Sequence, residues 1–361
     1  MCDFNSKTTK RCTAGIPNIK GRKEKYSYSN ILKLKELILL KLLKVIDYAA
    51  LMDMHRTRSK ESHYNNLPID VGNRDRFFSA RPIDLEFHID KHTANLKSGI
   101  FSFHSSIKSG EDKNDKVSGE VFLRKESKHK PNVIFVHGWR MDSYDRIKKI
   151  YHDKIVKNYD WNMYYYTLPY HFDREPQNST YAGEQMISSN ISRTVQSSQQ
   201  AIVELRGLIK WIKENEGGEI IVVGISLGGW LTNLLATVEK DVNIVVSVFY
   251  ANNIAHSIWN TLPGKYIRRD LEEHGTTYEE LDKAWDIMNP SKAKLLVDKE
   301  NVLLISGKYD MYIDKNDADT LWNSWDQPKR HVYSCGHAGI VLSRNRIAAD
   351  TLQFIESRLK K

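Results

Sequence analysis

Ser226 sits in the middle of Gly224-Ile225-Ser226-Leu227-Gly228-Gly229, directly after the apolar run Ile220-Ile221-Val222-Val223 and ahead of Trp230, Leu231, Leu234 and Leu235 at helical spacing. A buried strand entering a helix through a serine with glycine two residues away on each side is a nucleophile elbow. The backbone there bends so sharply that only tiny neighbours fit, and the hydroxyl is lifted clear of the sheet. A serine hydroxyl attacks an acyl carbon only with a base in hydrogen-bond reach and a carboxylate to orient that base. Two later segments supply both, in the order serine, acid, histidine. Val302-Leu303-Leu304-Ile305-Ser306-Gly307-Lys308-Tyr309-Asp310 sets Asp310 just past a buried strand, and Ser334-Cys335-Gly336-His337-Ala338-Gly339 sets His337 past the next. Ser226, Asp310 and His337 are therefore expected to meet at the carboxyl edge of one sheet.

Each partner has competitors. Asp314, Asp317 and Asp319 lie close to Asp310, and an aspartate after a strand is commonly a turn former or helix cap. The chain has 13 histidines, and His337 is singled out by its flanking glycines and its place between the last strand and the last helix. Cys335 reads as a small packed side chain rather than a nucleophile. Acyl transfer also needs N–H donors for the negative oxygen of the tetrahedral intermediate, each contributing about 3 kcal/mol. The amide of Leu227 is one candidate. The other is the amide of Trp139 in Val133-Ile134-Phe135-Val136-His137-Gly138-Trp139, where Gly138 permits close backbone approach; the alternative reading of His137-Gly138 is a simple turn that ends a strand, and the elbow favours the oxyanion role.

The elements that must hold these residues follow from periodicity. Short β segments are expected at Ile83–Ile89, Ile100–Ser105, Val117–Leu123 and Asn132–Val136, joined by turns and hence antiparallel at one edge. After Val136 helices and strands alternate: helices near Asp145–Asn158, Val195–Glu214, Trp230–Val238 and Ile347–Leu359, with strands Met163–Leu168, Ile220–Val223, Val242–Phe249, Val302–Ser306 and His331–Tyr333. That alternation predicts an α/β protein with a mostly parallel sheet covered on both faces. Pro169–Ser192 carries no pattern, and 251–299 lies between two core strands as a cap-like insert; inserts at a carboxyl edge overlie the crevice.

Composition bounds the rest. At 361 residues, 40% hydrophobic and 27% charged, the chain reads as a soluble globular protein with room for one large α/β domain. We divide it into a basic leader and amphipathic helix, 1–76, and a catalytic domain, 77–361. Cys2, Cys12 and Cys335 cannot all pair and show no metal or redox spacing, and no secretory signal is evident, so a cytoplasmic location is expected. The 54 Lys and Arg against 45 Asp and Glu give a net charge of +9, much of it early in the chain. Either this is a solvated tail or it meets an anionic surface; for nucleic acid there is charge but no recognition motif. From Ile31 to His55, Leu34, Leu37, Ile38, Leu42, Val45, Ile46 and Ala49 keep helical spacing between lysines. This helix is expected to dock on the catalytic domain or a second subunit, or to lie shallowly on an anionic membrane surface. No metal or dissociable cofactor is expected, since the zinc-protease, Walker and dinucleotide motifs are absent.

Taken together, His137-Gly138-Trp139, Gly224–Gly229, Ser306–Asp310 and Cys335–Gly339 resemble the corresponding motifs of the α/β-hydrolase superfamily over about residues 115–361. The resemblance implies the α/β-hydrolase fold with an eight-stranded core and Ser-Asp-His acyl chemistry on a small-molecule acyl substrate. An acyltransferase or peptidase would use the same residues, and a lipid-binding protein could keep the fold without turnover. Leu168-Pro169-Tyr170-His171 ahead of Arg174-Glu175-Pro176 is similar to one branch of abhydrolase-domain proteins. That similarity implies that His171 and Arg174 either line the pocket or belong to a structural loop.

Overall fold

The structure is a computed structural model that describes residues 43–59 and 61–360. Residues 43–361 form one compact unit. Its centre is a nine-stranded sheet in the order β1-β2-β3-β5-β4-β6-β7-β8-β9. The strands are β1 (Glu86–His92), β2 (Leu96–His104), β3 (Lys116–Arg124), β4 (Asn132–Val136), β5 (Asn162–Tyr166), β6 (Ile220–Ile225), β7 (Ile244–Val248), β8 (Val302–Gly307) and β9 (Lys329–Tyr333). β1, β2, β3 and β5 pair antiparallel in turn, whereas every pairing from β5 through β4 to β9 is parallel. The sheet is thus mixed and nine-stranded, which corrects the eight strands implied by the resemblance. Each of the nine strands overlaps one of the nine β segments read from the sequence, and β1, β2 and β3 form an antiparallel edge where sequential strands pair without crossover helices.

β4, β6, β7 and most of β8 are fully buried, as expected for parallel strands covered on both faces. One core face packs Ile202, Leu205, Ile209 and Ile212 of the helix Ile191–Asn215 with Trp230, Leu231 and Leu234 of the helix Leu227–Leu235. The other packs Ile147, Ile150 and Ile155 of the helix Asp145–Asn158 with Ile347, Leu352 and Ile355 of the helix Ile340–Leu359. Val136 is in register with Tyr166 on one side and Gly224 on the other. The loops after β4, β5, β6, β8 and β9 consequently leave from the same edge of the sheet, on either side of the point where strand order reverses.

The insert 251–299 contains the helices Ile254–Asn260, Lys265–Glu273 and Tyr278–Ala284. It meets the patternless segment 169–192 through Asp270, whose carboxylate accepts from the Ser189 hydroxyl and, at 3.1 Å, from the His63 amide. Three segments remote in sequence are tied at that one carboxylate.

The predicted N-terminal helix is described over 43–54; its earlier turns and the basic leader lie outside the described residues. Its buried side is Leu43, Asp47 and Leu51, while Val45, Tyr48 and Met52 are exposed. This corrects the expected apolar stripe, which included Val45 and Ala49. The inward face is set by the row 43, 47, 51, an i, i+4, i+8 line, and it carries a carboxylate at its middle. No helix among the described residues is long and apolar enough to cross a membrane.

Candidate active site

The elbow after β6 is built from forced close contacts. Ser226 has φ 57° and ψ −118°, a left-sided conformation that costs a non-glycine residue on the order of 1–3 kcal/mol and persists only when its surroundings impose it. Here they do. A Cβ on Gly224 would come within 2.2 Å of the Gly228 carbonyl oxygen, and one on Gly228 within 2.2 Å of the Val136 carbonyl oxygen and 2.5 Å of that of His137. The Ser226 amide donates to Val248 O at 2.8 Å, which pins the turn to β7.

Asp310 leaves the end of β8 in a tight turn. Its Oδ1 accepts the amides of Tyr312 and Ile313 at 2.8 and 2.9 Å, and its Oδ2 lies 2.8 Å from His337 Nδ1. The other ring nitrogen of His337, Nε2, lies 3.0 Å from Ser226 Oγ. An ionised carboxylate can only accept, so Nδ1 carries the proton and Nε2 is free to accept from the serine. The imidazole is stacked on Tyr312, with centroids 4.5 Å apart and planes 13° apart, and met edge-on by Phe249. Both rings fix its plane. Burial first, then the nearby Asp47 charge, pushes the Tyr312 hydroxyl up to about 12, so this platform is neutral at physiological pH.

The competing aspartates are occupied elsewhere. Asp314 caps the helix Lys315–Ser324 and contacts His256, Asp317 accepts the amides of Asn252 and Asn253, and Asp319 pairs with Arg330 and Lys315.

His137 and Gly138 border the serine without presenting a base to it. His137 is fully buried; its Nδ1–H donates to Gly138 O at 2.8 Å and its Nε2 accepts the Leu168 amide at 3.0 Å. Burial, then the neighbouring His171, hold it well below the usual histidine range. It is a neutral clasp between the loops after β4 and β5. Gly138 lies against the nucleophile, since a Cβ there would be 3.3 Å from Ser226 Cβ. Among the described residues the amides of Trp139 and Leu227 have no protein acceptor, and the Trp139 indole donates to Gly183 O at 2.9 Å.

His171 and Arg174 are both completely buried. They belong to the interior of the 169–192 segment rather than to an open pocket wall. Arg174 is paired with Glu204, Nη1 to Oε2 and Nη2 to Oε1 both at 2.9 Å, and also donates to the carbonyls of Asn114 and Thr167. His171 donates through Nδ1 to Pro169 O at 2.8 Å, and its ring packs where a Gly183 side chain would otherwise be. Burial lowers its pKa from 6.5 to about 4.

Between those two values the unfolded chain holds a proton that the folded chain excludes. Stability attributable to His171 is therefore complete above about pH 6.5 and is lost as pH falls towards 4, with a total on the order of 3 kcal/mol. Melting temperatures measured from pH 7 to pH 4 should fall more steeply for the wild type than for His171→Gln. Parallel curves would refute this assignment.

One residue absent from the sequence reading is also here. Asp47, on the helix 43–54, accepts the amides of His337, Ala338 and Met311. The only signal available in the sequence was an acid in line with Leu43 and Leu51 on one helix face.

Comparison with known proteins agrees with this architecture. The family described as Alpha/beta hydrolase domain containing 18 matches residues 110–261. Protein YdjC of Bacillus subtilis (strain 168) is 61% identical over 115 residues, which cover 32% of this chain and 99% of YdjC. Protein Rv2627c of Mycobacterium tuberculosis (strain H37Rv) is 24% identical over 234 residues, 62% of this chain, and the match spans only 54% of that longer protein. Among solved structures, the acetyl xylan esterase from Paenibacillus sp. R4 superposes with a TM-score of 0.60 at 12% identity, covering 82% of this chain and 97% of the esterase. Acetyl xylan esterase 1 from Thermoanaerobacterium sp. JW/SL YS485 gives 0.59 at 16%, covering 83% and 96%. At such identities the superpositions speak for the fold, while the family match and the Bacillus relative speak for descent. With a serine on a strained strand-to-helix turn at the carboxyl edge of such a sheet, the chain belongs to the α/β-hydrolase superfamily.

Proposed function

We propose that this protein is a serine hydrolase that cleaves an ester or related acyl substrate through an acyl-enzyme. The observation that carries the reading is the doubly bonded imidazole of His337, 2.8 Å from Asp310 Oδ2 and 3.0 Å from Ser226 Oγ. In this reading His337 Nε2 takes the serine proton as Oγ bonds to the acyl carbon. Asp310 stabilises the resulting imidazolium, and the amides of Leu227 and Trp139 donate to the oxyanion. Collapse of the intermediate breaks the bond to the alcohol, which leaves with the proton from Nε2. A water molecule, deprotonated by the same nitrogen, then attacks the acyl-enzyme and releases the acid and the free serine.

The esterase likeness of the fold supports an ester as the substrate. Aromatic side chains adjoin the triad: Tyr312 stacks on His337, and Trp139, next to Gly138, meets Tyr181 edge-on, with Arg140 lying over Tyr181 at 3.6 Å. The helical insert 251–299 is assigned as a cap over this site. A fluorophosphonate probe should label the wild type and leave Ser226→Ala unlabelled; equal labelling of the two overturns the proposal. Turnover of a chain-length series of p-nitrophenyl esters, set beside thioesters and peptidyl amides, ranks hydrolysis of esters against acyltransferase and peptidase chemistry. Ester turnover is expected to lead.

A further inference from the structure

Asp47 is completely buried on the helix 43–54. A carboxylate without water is costly unless hydrogen bonds replace its hydration, and among the described residues no cationic side chain pairs with it. Its compensation is backbone. Oδ2 accepts the amide of His337 at 2.8 Å and that of Met311 at 3.1 Å, and Oδ1 accepts the amide of Ala338 at 2.9 Å. Two of these amides belong to the loop that bears the histidine, and the third follows Asp310 directly. One side chain therefore bridges the two loops whose side chains must stay in register for proton transfer. The approach is close enough to dictate a neighbour, since a Cβ on Gly336 would lie 2.5 Å from the Asp47 carboxylate.

We propose that Asp47 is a positioning residue of the active site, holding the His337 and Asp310 loops at their working separation from the N-terminal helix. The inference rests on the serine hydrolase reading and extends it, because it makes a segment outside the α/β core part of the catalytic apparatus. Asp47 touches no reacting atom. Its effect is transmitted by the backbone of residues 311 and 336–338, so its removal loosens the Asp310–His337–Ser226 geometry while leaving the surfaces that bind substrate in place.

The test compares Asp47→Asn with Asp53→Asn, an exposed acid on the same helix. An amide at 47 keeps one accepting oxygen but turns an N–H donor towards the remaining backbone donors. Misplacement of a catalytic group by about an ångström costs on the order of 100-fold. Asp47→Asn is accordingly expected to lower kcat and the rate of fluorophosphonate labelling about 10- to 100-fold, with KM within about twofold of wild type. Asp53→Asn should behave as wild type. A folded Asp47→Asn protein with wild-type kcat overturns the proposal, as does a loss that falls on KM alone. A measurement on the unaltered protein guards against failed folding: the amides of Met311, His337 and Ala338 should exchange with deuterium as slowly as strand amides, and free exchange overturns the proposal. If Ser226→Ala still labels, the hydrolase reading falls; if it does not label and Asp47→Asn is fully active, only the positioning role falls.

Discussion

Replacing Asp310 with asparagine should lower kcat by about 10⁴-fold while leaving the protein folded and its substrate affinity nearly intact. The direction follows from which atoms asparagine would put where. Oδ1 of Asp310 accepts two backbone amides, from Tyr312 and Ile313, whereas Oδ2 accepts one proton from His337. The single oxygen of the amide will keep the two backbone donors, because turning it the other way would set an NH2 group against two N–H groups. The NH2 then faces His337 Nδ1 and donates to it. That bond moves the imidazole proton to Nε2, and the nitrogen beside Ser226 Oγ becomes a donor where a base is required. Single-turnover kinetics with an activated ester would show the loss in acylation itself, and fluorophosphonate labelling should slow in parallel. Retention of more than a tenth of wild-type kcat would mean that the carboxylate does not set the tautomer.

Much of this site is legible in the sequence because each part has a local cause. Gly224 and Gly228 are required by contacts within a few residues of Ser226 or with the adjoining strand, and the alternation of buried strand and amphipathic helix sets the direction in which Asp310 and His337 leave the sheet. The strand Asn132–Val136 and the helix Asp145–Asn158 have the same limits in the structure as in the sequence reading. What the sequence hides is held by backbone groups, which have no residue type. Asp47 is invisible for that reason, since its partners are three amides and any residues could supply them. The misread face of its helix follows from the same fact: periodicity ranks an acid as outward-facing, yet three N–H donors make burial of Asp47 the stable arrangement. The helix Lys315–Ser324 went unread because its acids resemble a turn; Asp314 in fact caps it and Asp317 is buried against the amides of Asn252 and Asn253. The segment 169–192 shows no period because it is ordered by individual polar contacts rather than by a repeating apolar face.

Those contacts make Arg174→Met the replacement with the largest expected cost in stability. Arg174 and Glu204 are both effectively without solvent contact, and the guanidinium has five protein hydrogen bonds, including two to Asn114 O at 3.0 and 2.6 Å and one to Thr167 O at 2.8 Å. Burial opposes the charge on Arg174, but Glu204 and then Tyr166 hold its proton more firmly than usual. Removing the arginine leaves the Glu204 carboxylate buried with Tyr166 as its one remaining side-chain partner among the described residues. Breaking such a pair from one side costs about 3–5 kcal/mol, or a fall in melting temperature of roughly 10 °C for a domain of this size. The double replacement Arg174→Met with Glu204→Leu should recover a large part of that loss, because the stranded charge is gone. Activity should not recover with it. Arg174 ties the start of the 169–192 segment to Asn114 and Thr167. That segment carries Tyr170 O, which accepts the Gly183 amide at 2.7 Å, and Gly183 O accepts the Trp139 indole at 2.9 Å. The chain of bonds ends at the residue whose amide is assigned to the oxyanion, so a double variant restored in melting temperature yet still low in kcat is the expected result. Recovery of both together would assign Arg174 to stability alone.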